Sequence, residues 1–175
     1  MSLWKIDPAH SDVSFKVKHL VISTVAGHFD TFDASIESSS NNFSDARISF
    51  EADIASINTK NEQRDGHLKS PDFFDASTFP KMSFVSTSVT STSEHEMKVA
   101  GNLTMHGVTR EIVFDAIYNG TVAGPGGAKV AGFELSAKVN RFDYGLQWNA
   151  LTEAGGVMVG NEVKIEISAE FNQPQ

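Results

Sequence analysis

Along most of this chain apolar and polar residues alternate one by one, and that period of two limits the possible folds more than any other feature. Val13, Phe15, Val17 and His19 share one face of an extended segment, with Ser14, Lys16 and Lys18 on the other. The same alternation runs through Ala46, Ile48, Phe50, Ala52 and Ile54, then through Met97, Val99, Gly101, Leu103 and Met105, and through Ile112, Phe114 and Ala116. It returns in Ala131, Phe133, Leu135, Ala137 and Val139, and last in Val163, Ile165, Ile167, Ala169 and Phe171. Successive side chains of a strand point to opposite faces, so each segment buries one side and wets the other, as antiparallel sheets do. Weaker runs at 24–36 and 81–89 bring the expected number to about eight strands.

Turn chemistry falls between these runs. Ser38 to Asn42 and Ser91 to Glu96 read as polar tight loops, and Val122 to Ala128, rich in glycine, as a hairpin turn. Two regions break the alternation. Thr59 and Glu62 have the spacing of a capping box, which predicts a short helix through about Leu68, stopped at Ser70-Pro71 and followed by a turn at Asp72-Phe73-Phe74. Residues 140–162 read as a long loop with room for a helical turn. One short helix cannot cover the apolar faces of about eight strands, so the strands must cover each other, as a closed barrel or a two-sheet sandwich. Periodicity admits both. Closure is the favoured reading because it removes both sheet edges and leaves room inside for side chains or one enclosed ligand. All 175 residues read as one all-β domain.

Composition narrows the function. Cysteine is absent, which excludes a disulfide framework, a thiolate metal site and a cysteine nucleophile. The net charge of −8 opposes nucleic acid and docking on anionic lipid. No run reaches the roughly 18 apolar residues of a spanning helix, so no stable membrane insertion is expected. No apolar stretch follows the single early lysine, so the sequence reads as cytoplasmic, or as periplasmic had an export signal been removed.

Phenylalanine is abundant, 13 against 2 tyrosines, and a ring without a hydroxyl can line a dry cavity with no polar group left unpaired. Core filling explains the same bias. The six histidines are scattered, without an HxH or HExxH pair, so no metal site is expected. No GxSxG elbow appears, and the Arg64, Asp65 and His67 cluster and the segment from Arg141 read as ion pairs and caps at a barrel rim. The expected inward positions, and so the candidate contacts for an apolar ligand, are Phe15, Val17, His19, Phe29, Ile48, Phe50, Phe84, Leu103, Met105, Ile112, Phe114, Phe133, Leu135, Ile165 and Ile167.

At the level of motifs the sequence resembles the YceI-like proteins, a lipocalin-like family of polyisoprenoid-binding β-barrels. The resemblance rests on Trp4-Lys-Ile-Asp-Pro-Ala-His10-Ser11 with Val13, Phe15, Val17 and His19 behind it. Further support comes from Ile22 to Phe29, Ala55 to Thr59, and Arg64-Asp65-Gly-His67-Leu68 with Asp72-Phe73-Phe74-Asp75 and Phe79-Pro80. Gly101 to Thr109, Arg141-x-Asp143-Tyr-Gly145 and Val159 to Val163 complete it, in order, over nearly the whole chain. It implies an extended eight-stranded antiparallel barrel holding an isoprenoid quinone or polyprenyl lipid. It implies no catalytic residue, no cofactor beyond the lipid itself, and a carrier or store, not an enzyme; some members are linked to stress responses. His10, His19, Arg64, Asp65, His67 and Arg141 match motif positions, and the resemblance gives them rim or headgroup duty. It also admits a homodimer. Fatty acids or their amides, and an interaction module with a closed, ligand-free barrel, are the competing expectations. The mouth is expected near 59–80 and 140–162, because irregular segments move more readily than strands.

Overall fold

The computed structural model describes residues 1–149 and 159–174. Within them eleven strands resolve into eight antiparallel lanes, three of them interrupted. β1 (Ser2–Ile6) and β2 (Asp12–His19) form one lane, broken by the 3-10 turn Pro8–His10. β3 (Ser23–Phe29) and β4 (Phe32–Ser38) form the second, broken at Asp30 and Thr31. β5 (Arg47–Asp53) and the short β6 (Ile57–Asn58) form the third, broken by the 3-10 turn Ile54–Ser56. β7 (Lys81–Ser91), β8 (Glu96–Met105), β9 (Val108–Ala123), β10 (Lys129–Asn140) and β11 (Val159–Gln173) are continuous.

The ladders decide between barrel and sandwich. β11 lies beside β10 and also takes both halves of the first lane, with Ile165 opposite Phe15 on β2 and Phe171 opposite Ile6 on β1. First and last lanes therefore meet, and the sheet closes. Alternation is visible in burial: on β8, Met97, Val99, Gly101, Leu103 and Met105 are all buried, while Glu96, Lys98 and Asn102 are exposed. Bulges at Thr87 and Asn119, each skipped in its ladder, bend the long strands around the barrel.

Three expectations change in detail. The run 24–36 is two strands, and its break faces the break between β5 and β6: Asp30 N–H donates to Ser56 O at 3.2 Å and Asp53 N–H to Thr31 O at 3.0 Å. The facing kinks satisfy each other's backbone groups, so the breaks in the two lanes do not leave these donors and acceptors unpaired. β1 was not expected; Trp4 and Ile6 do alternate with Leu3 and Lys5, but the run is short and ends against Pro8. The helix α1 (Glu62–Lys69) forms, but Asn61 caps it, its side-chain oxygen accepting from Arg64 N–H at 3.0 Å. Lys60 has φ 61° and turns the chain so that Asn61, not Thr59, abuts the first helical turn. Ser70 ends the helix as expected, and its carbonyl accepts from Phe73 N–H at 3.0 Å in the turn that follows.

The interior has two unlike halves. At one end, Trp4, Phe43, Tyr118, Phe133 and Phe171 form a chain of ring contacts at 5.0–5.8 Å between centroids. Tilted and edge-on rings at such distances are favourable pairs, and this end is solid. The other end, bounded by β2, β3, α1 and the segment after β10, is hollow. The segment 140–162, expected to be a loop with room for a helical turn, contains the 3-10 turn Arg141–Tyr144 and also the first residues of β11; residues 150–158 lie outside the described residues.

Candidate ligand-binding site

The hollow is a cavity of about 480 Å³, within the roughly 300–1,000 Å³ that small-molecule sites occupy. Its wall is mostly apolar: Val13, Phe15, Val17, Val25, Phe29, Leu68, Phe73, Phe74, Met82, Met105, Val139, Leu146, Trp148, Val163 and Ile165. Beyond it, toward the solid end, lies a narrow apolar void of about 50 Å³ that shares Val13, Met82 and Ile165 with the large one. Those three side chains are the neck between chamber and void.

Phe15 forms part of the chamber wall through a local device. Gly27 is its register partner on β3, and a Cβ at Gly27 would collide with the Phe15 ring and meet Thr59 Cγ2 at 2.9 Å. The missing side chain lets the ring lie flat across β3, where it packs on Phe29 with centroids 5.6 Å apart. Phe29 in turn meets Phe74, 6.4 Å away, so the turn after α1 is bound to the barrel wall by aromatic contact.

The polar part of the wall lies where α1 and the 141–149 segment cross the rim. Arg141 is 4% exposed. Its Nε donates to Gly160 O at 2.8 Å, Nη1 to Leu146 O and Trp148 O at 2.7 and 2.8 Å, and Nη2 to Val159 O at 3.2 Å. The guanidinium lies 5.9 Å from the Phe73 ring centre and 4.9 Å from that of Phe142. It is a buried cation satisfied by carbonyl dipoles and ring faces; among the described residues no carboxylate pairs with it. Burial holds its pKa below the usual arginine value, yet arginine stays charged in proteins. Its mechanical role is to tie the start of β11 to the 146–148 segment.

Arg64 and Asp65 clasp Thr59 from two sides. Thr59 N–H and hydroxyl donate to Asp65 Oδ1 at 2.9 and 2.5 Å, while Arg64 Nε donates to Thr59 Oγ1 and Nη2 to Thr59 O, both at 2.8 Å. This uses part of the Arg64 fork and leaves the Nη1 hydrogens without a partner among the described residues. His67 faces Asp72, Nε2 to Oδ2 at 3.0 Å, and its ring stands edge-on to Trp148 at 4.6 Å and to Phe73 at 5.1 Å. Below the 141–145 turn, His106 Nδ1–H donates to Tyr144 O at 2.8 Å. The Tyr144 hydroxyl is buried without a partner among the described residues, and burial is the main cause pushing its pKa up to about 12.

The sequence-derived residues divide by position. Phe15, Val17, His19, Phe29, Met105 and Ile165 line the chamber, as do Arg64, His67 and Arg141. Ile48, Phe50, Phe84, Leu103, Phe114, Leu135 and Ile167 line the narrow void. Phe133 belongs to the solid end, and Ile112 packs against the core beside the cavities. Asp65 stands behind Thr59. His10 lies outside the barrel on the 3-10 turn between β1 and β2, exposed, with Nδ1 2.8 Å from Asp7 Oδ2 and 3.9 Å from Glu170. His10 is absent from the residues that line the cavity, and it stands on the 3-10 turn that interrupts the first lane. Asp7, His10 and Glu170 do bring one ligand atom each within 4.8 Å of one another. Capping explains the arrangement, because Asp7 also accepts Ala9 N–H at 3.1 Å. Hydrogen bonding between the pair, the leading cause in both, lowers the Asp7 pKa and raises that of His10.

Several wall residues escaped the sequence reading: Lys18, Val25, Leu68, Phe73, Phe74, Met82, Leu146 and Trp148. Phe73, Phe74 and Trp148 sit in irregular segments where no period marks an inner face. Lys18 is on the outward face of β2 and reaches the cavity lining because β2 ends at the rim. The hairpin beyond it, Leu20-Val21-Ile22, is apolar and exposed, 86% at Ile22, with positive φ at Leu20 and Val21.

A closed antiparallel barrel, solid at one end and carrying an apolar chamber at the other, defines the class of small β-barrels built around an internal pocket. The family model of the YceI-like domain matches residues 4–171, and the chain belongs to that family. It is 44% identical over 173 residues to a UPF0312 protein of Staphylococcus aureus strain MSSA476, covering 98% of both chains. Among solved structures it is similar to the YCEI protein of Campylobacter jejuni, with 33% identity, TM-score 0.77 and coverage of 97% of this chain and 96% of that one. BcnA of Burkholderia cenocepacia shares the fold at TM-score 0.82 and 21% identity, over 94% and 98% of the two chains. A polyisoprenoid-binding domain from Saccharophagus degradans shares it at TM-score 0.71 and 16% identity, over 99% and 100%. Among the described residues no helix is long and apolar enough to cross a membrane.

Proposed function

We propose that this protein binds an apolar chain of the isoprenoid class in its chamber and serves as a carrier or store for it, without catalysis. The observation that carries the reading is the chamber itself: about 480 Å³ of apolar space at one end of a barrel whose other end is solid. Burial of apolar groups contributes about 0.8 kcal/mol per CH₂-sized unit. Three isoprenoid units of five carbons would thus give roughly 10 kcal/mol gross, before the cost of ordering the chain is subtracted. The polyisoprenoid-binding domain named among the structural neighbours supports the same ligand class. An apolar wall discriminates by girth and length more than by chemical identity, so fatty acids and their amides compete for the same space. Chain length should meet its limit at the neck of Val13, Met82 and Ile165.

The test is organic extraction of the purified protein followed by mass spectrometry. A stoichiometric prenyl lipid or quinone is the expected result. A protein that yields no lipid and also fails to bind an added prenyl chain overturns the reading.

A further inference from the structure

Among the described residues, the hairpin turns of this barrel are polar or glycine-rich with one exception. Those after β4, β7, β8 and β9 present Ser39 to Asn42, Thr92 to His95, His106-Gly107 and Gly124 to Gly127. The turn between β2 and β3 is Leu20-Val21-Ile22, with exposures of 36%, 69% and 86%. Single exposed apolar residues need no explanation, but a contiguous greasy tip does. The backbone adds to the cost. Leu20 has φ 54° and Val21 φ 68°, a left-handed region that hairpin turns fill with asparagine or glycine and that a β-branched residue enters only under strain. Folding alone favours other residues at these positions, so the tip answers something outside the barrel.

Its place and its charge say what. Val17, Lys18 and His19 on β2 and Val25 on β3 line the chamber, so the tip extends the chamber wall past the rim. The chain has 22 acidic residues and a net charge of −8, yet none of the acids falls between Val13 and Phe29. Lys16 is taken up by Glu166 at 3.4 Å, and Glu162, at the neighbouring start of β11, by Lys138 at 3.8 Å. Lys18 Nζ donates to Thr24 Oγ1 at 3.3 Å and has no carboxylate partner among the described residues. The overall charge opposes a second copy as the occupant and repels anionic lipid in general. The hairpin is the local exception. An apolar tip backed by a lysine fits a bilayer carrying anionic headgroups, with the side chains in the interface and the ammonium at headgroup level.

We propose that Leu20-Val21-Ile22 docks the protein reversibly on an anionic bilayer, holding the chamber's rim against the acyl region so that the cargo passes between membrane and barrel without crossing water. The proposal rests on the carrier reading and adds to it the surface from which the cargo is taken. The negative charge elsewhere on the chain turns the rest of the molecule away from that surface.

The chain has no cysteine, so Ile22→Cys and Val122→Cys each accept a single environment-sensitive fluorophore. Val122 is 66% exposed and lies toward the solid end of β9, which makes it the control. Both proteins are titrated with vesicles of equal parts phosphatidylcholine and phosphatidylglycerol. The label at 22 is expected to shift to the blue and the label at 122 to stay as in buffer. In co-sedimentation, the combined variant Leu20→Asn, Val21→Gly, Ile22→Ser should lose at least about tenfold in vesicle affinity. Its Tm should be unchanged or raised, because the new residues suit the turn. Val122→Ser should stay within about twofold of the parent. Lys18→Gln should weaken binding about fivefold, and only with anionic lipid at low salt. The hairpin variant should also slow transfer of tritiated geranylgeraniol between vesicles while its equilibrium affinity for that prenol stays within about twofold. A folded parent that ignores the vesicles, or equal losses from Val122→Ser and the hairpin variant, overturns docking and leaves the carrier reading to its own extraction test. A hairpin variant that keeps its vesicle affinity but has half the parent's mass in solution gives the tip to a second copy and overturns docking too. Docking by a protein that takes up no prenyl chain overturns the carrier reading and the cargo step built on it.

Discussion

Among the described residues, Phe133 at the solid end meets three rings, Phe43, Tyr118 and Phe171, with centroids 5.0 to 5.8 Å away, whereas Phe15 at the other end meets the single ring of Phe29 and faces about 480 Å³ of space. Both residues sit at inward positions of regular strands, and both look alike in an alternating sequence. The difference lies in what closes over them. The polar loop 39–46 delivers Phe43, 2% exposed, into the solid end as a plug. Over the hollow end, α1 and the 70–76 turn lie across the rim and place Phe73 and Phe74 in its wall. Stability concentrated at one end permits the other to forgo packing, a division between holding the fold and holding a guest.

Substitution can break this comparison. Phe133→Ala should cost about 3–5 kcal/mol, the range for a fully packed ring, and lower Tm by roughly 10 °C. Phe15→Ala should cost less than half as much, because a ring facing a cavity has lost contacts on one side already. Equal losses in urea denaturation would mean that the two ends are packed alike. Next in size, Arg141→Met should destabilise by about 3 kcal/mol, since it strands several carbonyls at the rim. Arg141→Lys should recover little, because an ammonium cannot span that fork of acceptors.

Lipid should sharpen the contrast. At about a hundredfold excess over Kd a ligand stabilises the fold by about 2.7 kcal/mol. The added protection from hydrogen exchange should fall on β2, β3 and α1 and spare β1 and β4; uniform protection would contradict a chamber confined to one end. Tyr144→Phe removes a buried hydroxyl that has no partner among the described residues, so it should be neutral or stabilising by up to about 1 kcal/mol, read as an unchanged or raised Tm.

The smallest effect belongs to His10, outside both ends. Its folded pKa is raised by Asp7, so its contribution is complete below its ordinary value of 6.5 and is lost as pH rises through the raised value. The Asp7 pKa is lowered from 3.8, so that contribution is lost as pH falls through the lowered value. His10→Ala should therefore lower Tm slightly near about pH 5.5 and leave it unchanged near about pH 9. A loss that persists at the alkaline end would point to packing instead of the ion pair.

The architecture was legible because a period of two is local: each of β2, β5, β8, β10 and β11 announces its inner face within its own residues. Closure was expected from the need to cover sheet edges and from the resemblance, not from any local pattern, since it depends on β11 pairing with both β1 and β2, a relation across 140 to 167 residues. The site was readable to the same extent. Val17, Phe29 and Ile165 follow from alternation. Trp148 and Phe73 do not, because irregular backbone can point any residue inward. Phe133 shows the same limit from the other side: it faces inward as alternation says, yet it packs among rings, for alternation tells which face is inside and says nothing of whether the inside is filled.

Gly27 carries a consequence for diversification. Because the Phe15 ring rests where a Cβ would stand, a single added methyl at position 27 would tip that ring toward the axis and shorten the berth from its side. The wall would keep its strands, its register and its charges. A lineage could thus recalibrate which cargo it accepts through one backbone neighbour of one aromatic ring, as a ruler is shortened by moving its stop.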